Sequence, residues 1–116
     1  VTIRKTLRCV TQAYCSALPV AYSPFSEEIW ESFAQLILEA AYEATLCAGA
    51  LNAAATGNNQ IFLTLLGGGA FGNDEDWILK AIARALDLFR DIDLSVSVVS
   101  FGKSNREVAS FVRRYE

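Results

Sequence analysis

The apolar run Ile61-Phe62-Leu63-Thr64-Leu65-Leu66 is followed at once by Gly67-Gly68-Gly69-Ala70-Phe71-Gly72-Asn73. The nearly continuous run is the pattern of a central β-strand that is buried on both faces. Four glycines in six positions then carry a large cost in chain entropy, and they allow the backbone to approach a ligand closely. This junction therefore predicts a buried strand that ends in a glycine-rich loop, with a helix behind the loop.

The elements on both sides of this junction alternate between strand and helix. Before the junction we predict a strand over 6–17, a loop over 18–25, and a helix that begins near Ser26 and ends at Gly49 or continues to Ala55. The strand at 61–66 follows. After the loop we predict a helix over 77–90, a strand over 94–101, and a last helix opened by the capping box Ser104 to Glu107. Such alternation gives parallel strands joined by right-handed crossovers, with helices on both faces of the sheet. Ligands of such sheets bind beyond the carboxyl ends of the strands, where residues 67–73 and 100–103 both fall.

Composition indicates a single folded domain over residues 1–116. The chain is 53% hydrophobic and 20% charged, and it has no linker-like segment. It contains no His, and its three cysteines lack Cys-x-x-Cys spacing, so we expect no His-based catalysis, no metal ion and no cofactor. Cys15 and Cys47, the latter on an apolar helical stripe with Ile29 and Phe33, are expected to be buried thiols, which favours a reducing compartment and hence the cytoplasm.

Charge is distributed unevenly along the chain. Residues 9–79 contain eight acidic residues and no Lys or Arg, so no basic stripe exists to hold a nucleic acid. No apolar run reaches the roughly 18 residues that span a bilayer, and we expect no membrane partner. Because the chain lacks Met altogether, we expect it to be a fragment or one chain of a larger domain, paired with another chain or a missing N-terminal segment.

Two phosphate-binding templates fit the glycine loop only in part. In a P-loop, Gly67 and Gly72 would have the correct spacing, but Asn73-Asp74 replace the required Lys-Ser/Thr. In a dinucleotide fold, Gly67, Gly69 and Gly72 match G-x-G-x-x-G, but the next strand ends at residues 100–103 without the acid that binds ribose. A tight strand-to-helix turn that binds nothing is the simpler alternative.

A third template is a resemblance to a known family. Residues 61–73, IFLTLLGGGAFGN, resemble the second phosphate-binding loop of macro domains, in which an apolar strand precedes two small residues, Gly, an aliphatic residue, an aromatic residue and Gly. The order of the elements also fits, over nearly the whole chain, although only the later part of a macro domain is represented. The resemblance implies a three-layer α/β/α fold with a mostly parallel sheet that lacks the first strands. The segment 52–55 is similar to the family's Asn-Ala-Ala-Asn loop, but it follows the long helix and does not take that role.

By this resemblance the chain would bind ADP-ribose or a related nucleotide diphosphate. Gly68 to Gly72 would wrap the diphosphate, Phe71 would lie along the distal ribose, and Phe101 would stack on adenine. The expected ligand-binding residues are Gly67, Gly68, Gly69, Ala70, Phe71, Gly72, Asn73 and Phe101. The alternatives are an assembly module that completes its fold with another segment or chain and binds no ligand, and a hydrolase that removes ADP-ribose from proteins. The resemblance assigns no catalytic residue, because the family's first loop lies before the part represented here.

Overall fold

A computed structural model describes residues 9–116 of the chain. Its elements are a 3-10 helix Val20–Tyr22, α1 Glu27–Thr56, β1 Gln60–Thr64, α2 Glu75–Leu88, β2 Ser95–Val99 and α3 Arg106–Arg113. The described residues therefore form an α/β fold with a small parallel sheet. The predicted positions of β1, α2 and β2 are confirmed to within two residues at each end.

Helix α1 is longer than its interior glycine suggests. It continues past Gly49 and ends at Gly57, whose φ of 77° is left-handed and whose N–H donates to the Ala53 carbonyl at 2.8 Å. The close approach of α1 to β1 favours glycine at position 49, since a Cβ there would overlap the Ile61 side chain unless that side chain shifts. An end at Gly49 is thus wrong, and the longer alternative, through Ala55, is confirmed.

The two strands pair in parallel, as the crossover connection through α2 predicts. Ile61 lies opposite Val96, and Leu63 lies opposite Val98. The side chains of Ile61 and Leu63 are buried beneath the helices, whereas Phe62 between them is 67% exposed. Within residues 9–116 this strand is therefore buried on one face only, and burial on both faces is not seen.

Within residues 9–116, helices cover only one face of the sheet. The uncovered face carries the exposed side chains of Gln60, Phe62, Thr64, Ser95, Ser97 and Val99. A third layer is not seen in this part of the chain and remains a prediction. None of the described helices combines the length and the apolarity needed to cross a membrane.

The predicted N-terminal strand does not form over its described part. Residues 6–8 lie outside the described residues, and over 9–17 only Cys9 makes an isolated β-bridge. The side chains of 9–14 are exposed, and the segment runs beside α1, where Thr11 Oγ1 donates to Asn52 Oδ1 at 3.4 Å. Among the described residues, 11–17 therefore have no neighbouring strand with which to form a ladder, despite their β-forming composition.

The core lies mainly between α1 and α2. Leu38 and Leu46 of α1 meet Ile78 and Ile82 of α2, and all four are fully buried. Helical spacing predicts a buried stripe on α2, and its members are buried except Leu88, which is 56% exposed, and Phe89, which is half-buried: Trp77, Ile78, Ala81, Ile82, Ala85, Leu88 and Phe89. The stripe predicted on α1 is divided. Its members Ala41, Trp30 and Ile37 are buried or half-buried, whereas the others are exposed, opposite the face that packs on the core: Ile29, Phe33, Ala40, Ala44 and Cys47.

The last helix begins one residue later than its capping box indicates. Asn105, and not Ser104, is the N-cap, and its Oδ1 accepts from the Glu107 N–H at 2.9 Å. The reason is tertiary, since Asn105 Nδ2 also donates to both carboxylate oxygens of Glu75, at 3.0 and 2.8 Å. This contact joins the start of α3 to the first turn of α2.

Candidate functional site

The glycine loop leaves the sheet at the carboxyl edge of the strands. Thr64 ends β1 and pairs with Val99, which ends β2, so the connections that follow them start side by side. Residues 67–73 and 100–103 are therefore placed at one edge, as expected. The contact between Glu75 and Asn105 holds the far ends of the two connections together.

Asn73 closes the loop from inside. It is 4% exposed, its N–H donates to the Gly67 carbonyl at 2.9 Å, and its Nδ2 donates to the same carbonyl at 3.1 Å. Nδ2 also donates to the Leu18 carbonyl at 2.8 Å, which fastens the N-terminal segment to the loop. Its Oδ1 is buried and finds no donor among the described residues. Asn73 thus sets the shape of the loop, and its part in ligand binding stays a prediction.

Two of the four glycines are explained by the fold itself. Gly67 and Gly72 have φ values of 74° and 71°, in the left-handed region. A Cβ on Gly67 would overlap Ala17, and one on Gly72 would lie 2.7 Å from the Cβ of Ala21. These two positions need glycine whether or not a ligand binds.

Gly69 has no such internal reason. Its φ lies outside the left-handed region, and an added Cβ would meet nothing within 4 Å. A side chain at this position would therefore cause no strain in the backbone. Gly68 is intermediate, since a Cβ there would lie 3.0 Å from Ile78 Cδ1.

The outer part of the loop carries unpaired backbone donors. The N–H groups of Gly68, Gly72 and Asn73 bond to carbonyls within residues 65–69. The N–H groups of residues 69–71 find no acceptor in the described part of the chain. Successive unpaired N–H groups at a turn form the kind of backbone cradle that binds anions.

The first turn of α2 offers less to an anion than the sequence suggests. Asp74 is its N-cap, and the carboxylate accepts from the Asp76 N–H at 2.7 Å. Glu75 and Asp76 add further negative charge to this turn, which the helix dipole stabilises. The protein's own carboxylates therefore lie at this helix N-terminus, and the N–H groups of the loop are the donors that remain for an anion.

The aromatic side chains of Phe71 and Tyr22 meet at the loop, and Phe101 follows β2 at the same edge of the sheet. Phe71 is half-buried, its carbonyl accepts from the Ala21 N–H at 2.9 Å, and its ring lies edge-on to Tyr22 with centroids 6.2 Å apart. Tyr22 is 70% exposed, and no motif in the sequence marks it, since it lies in the loop between the two prolines. Phe101 is fully exposed, so core packing does not explain it.

Tyr42 of α1 fixes the strand end from which the loop departs. Its hydroxyl donates to the Thr64 carbonyl at 2.7 Å and accepts from the Leu66 N–H at 2.9 Å. Burial raises the pKa of Tyr42 to about 12, although the bond from Leu66 acts in the opposite direction. At the end of β1, the Tyr42 hydroxyl thus makes the backbone hydrogen bonds that a neighbouring strand would otherwise make.

Tyr42→Phe is expected to lower the free energy of unfolding by about 1–3 kcal/mol at pH 7, because the Leu66 N–H and the Thr64 carbonyl lose a buried partner. Because the folded pKa is raised, the neutral hydroxyl contributes its full stabilisation below pH 10. This stabilisation, about 2–3 kcal/mol, is lost as the pH rises through about 12. Urea unfolding from pH 7 to 12 should therefore show parent and variant converging above pH 10. A constant difference would contradict this role for the hydroxyl.

The large concavities of the described residues lie away from the loop. One of about 780 Å³ separates residues 9–14 from α1 and β1, and one of about 350 Å³ lies between the ends of α2 and α3 over the start of β2. Neither is lined by residues 67–73. Within residues 9–116, no group of three or more His, Cys, Asp or Glu side chains could hold a metal ion, and Cys47, expected to be buried, is exposed.

The candidate site is therefore an open backbone surface at the carboxyl edge of a small parallel sheet, with two aromatic side chains beside it. Comparison with protein-family models, with curated proteins and with solved structures gave no significant match.

Proposed function

We propose that this chain binds ADP-ribose or a related nucleotide diphosphate through the glycine-rich loop. The observation that carries the proposal is the run of unpaired N–H groups over residues 69–71, beside a glycine that the fold does not require. A diphosphate is a compact anion with several acceptor oxygens, and backbone donors can bind it without Lys or Arg. This fits a segment with no basic residue between Arg8 and Lys80.

The aromatic residues around the loop suit the nucleoside parts of such a ligand. Phe71 is the last residue of the free donors and presents a half-buried ring, which agrees with a place along the distal ribose. Phe101 leaves the sheet at the same edge and is fully exposed, as a ring that stacks on adenine would be before binding. Tyr22 stands beside Phe71 and extends the aromatic surface.

An assembly module is the second candidate. The uncovered face of the sheet, with Phe62 67% exposed and Val99 48% exposed, favours it. Another segment or chain on that face would complete the three-layer arrangement. In this function the loop would be only a turn, and the protein would bind no nucleotide.

We do not propose the hydrolase. The acidic side chains nearest the loop already have partners: Asp74 caps α2, Glu75 bonds to Asn105, and Asp76 pairs with Lys80 at 2.6 Å. Desolvation raises the pKa of Glu75, and Glu107 raises it further against the effect of the Asn105 bond. We propose a binding protein of the cytoplasm, without a nucleic-acid or membrane partner.

Calorimetric titration of the full chain with ADP-ribose, ADP and AMP tests the proposal. ADP-ribose should bind best and AMP poorly, because AMP lacks the diphosphate that the loop N–H groups would bind. If none of the three binds to a folded sample, the nucleotide proposal fails and the assembly module is favoured.

Gly69→Val is expected to abolish ADP-ribose binding while leaving the melting temperature unchanged. The new side chain would project from the free donors into the ligand's space, but it meets no protein atom within 4 Å of its Cβ. Phe71→Ala should weaken binding less, since it leaves the backbone donors in place. Ala55→Val, on an exposed and remote turn of α1, serves as the control for added bulk. Unchanged binding by Gly69→Val would show that the loop is not the site.

A further inference from the structure

Helix α1 has a second apolar face that the described fold leaves in solvent. Its members follow each other at intervals of three or four residues, which places them in one straight row along the helix. All eight are exposed: Ile29, Phe33, Leu36, Ala40, Ala44, Cys47, Leu51 and Ala54. We call this row the outer stripe of α1.

The outer stripe lies opposite the side of α1 that packs on the core. Ala34, Leu38 and Leu46 are fully buried on that inner side. A helix that is apolar on two opposite faces is typical of one covered on both sides. Leu36 and Leu51 of the stripe are 58% and 68% exposed.

The stripe is long for an exposed apolar surface. From Ile29 to Ala54 the row extends about 38 Å. Its four large members, Ile29, Phe33, Leu36 and Leu51, are 49–68% exposed. A contiguous exposed apolar surface of this kind marks a protein interaction site.

Charge along the stripe favours a protein partner over a membrane. The stripe contains no charged residue, and its flank carries Glu39 and Glu43, both paired with Arg84 of α2 at 3.7 and 2.7 Å. Helices that lie on membranes carry Lys and Arg on the polar side, and α1 has neither. A neutral apolar partner surface fits these features.

The stripe is complementary to itself when the helix is reversed. About a two-fold axis at Ala40, the large Phe33 of one copy faces the small Cys47 of the other, Leu36 faces Ala44, and Ile29 faces Leu51 at each end. Ala40 and Ala44 let the two helices approach closely near the axis, while Ile29 and Leu51 make an apolar contact at each end. We propose that two copies of this chain form an antiparallel dimer through the outer stripes of α1.

A matched pair of leucine substitutions tests the dimer. By light scattering, the parent should have twice the mass of one chain at micromolar concentration, and Leu36→Glu should have the mass of one chain because it places a charge in the interface. Leu88→Glu, on α2 and 56% exposed against 58% for Leu36, should keep the dimer. A parent of single mass, or a dimer that survives Leu36→Glu, would overturn the proposal.

Cross-linking tests the antiparallel register separately. In a background of Cys9→Ser and Cys47→Ala, Ala40→Cys should give a disulfide-linked dimer on oxidation, because the axis brings this position against its own copy. Ala54→Cys on the same stripe should not, since its copy would lie about 40 Å away. Cross-linking through position 54 and not through 40 would exclude this arrangement. Both outcomes are independent of nucleotide binding.

Discussion

Asn73→Asp is expected to lower the free energy of unfolding at pH 7 by about 3–5 kcal/mol, the range for an uncompensated buried charge. The substitution keeps the shape of the side chain and replaces Nδ2 by an oxygen. That oxygen would face the carbonyl oxygens of Leu18 and Gly67, which Nδ2 approaches to 2.8 and 3.1 Å. Two hydrogen bonds become repulsive contacts in a site that is 4% exposed.

Urea unfolding at several pH values measures this effect. The repulsion should raise the pKa of the introduced carboxyl above its unfolded value of about 3.9, so the loss of stability is complete above the folded pKa and smallest below pH 4. Asn58→Asp is the matched control, because Asn58 is exposed and the bond of its side chain is one that a carboxylate also makes, as Oδ1 accepts from the Gln60 N–H at 3.1 Å. Equal stability of the two variants at pH 7 would show that Asn73 does not hold the loop.

Gly67→Ala should lower the free energy of unfolding by about 2–4 kcal/mol. Part of this cost comes from a left-handed φ of 74° in a residue with a Cβ, about 1–2 kcal/mol, and the rest comes from the overlap with Ala17 and Asn73. Thermal unfolding followed by circular dichroism measures it.

Gly69→Ala, two residues away, is the control within the same loop. It meets open space and needs no left-handed φ, so we expect a change within about 0.5 kcal/mol. If both substitutions cost the same, the division of the loop into structural and free glycines is wrong.

Sequence periodicity predicted α2 well because this helix has one apolar face, so only that face can pack on the core. In α1 it was misleading, since Ile29 and Phe33 recur at helical spacing as regularly as Leu38 and Leu46 do. Only the position of α2 decides which of the two faces enters the core. A local pattern cannot contain that information.

The sheet shows the same limit. The apolar run at 61–66 predicted a strand correctly, but the burial of Phe62 depends on what covers the second face. Within residues 9–116 nothing does. The choice of Asn105 over Ser104 as a helix cap likewise depended on Glu75, which is 30 residues away in the sequence.

The candidate site was predictable in position but not in composition. A strand followed by glycines indicated the loop, and parallel topology placed Phe101 at the same edge. The roles of single glycines depended on Ala17 and Ala21, which are distant in sequence. Tyr22 has no distinguishing feature in the sequence, because its place beside Phe71 follows from a hydrogen bond between two loops.

The bond from Asn73 to the Leu18 carbonyl joins positions 55 residues apart. The glycine loop therefore keeps its shape only while residues 17–22 are docked on it. We expect it to lose that shape in any partial opening that releases this segment. A ligand held by residues 69–71 would then stabilise the docked position of the N-terminal segment, because it would be bound only while that segment is docked.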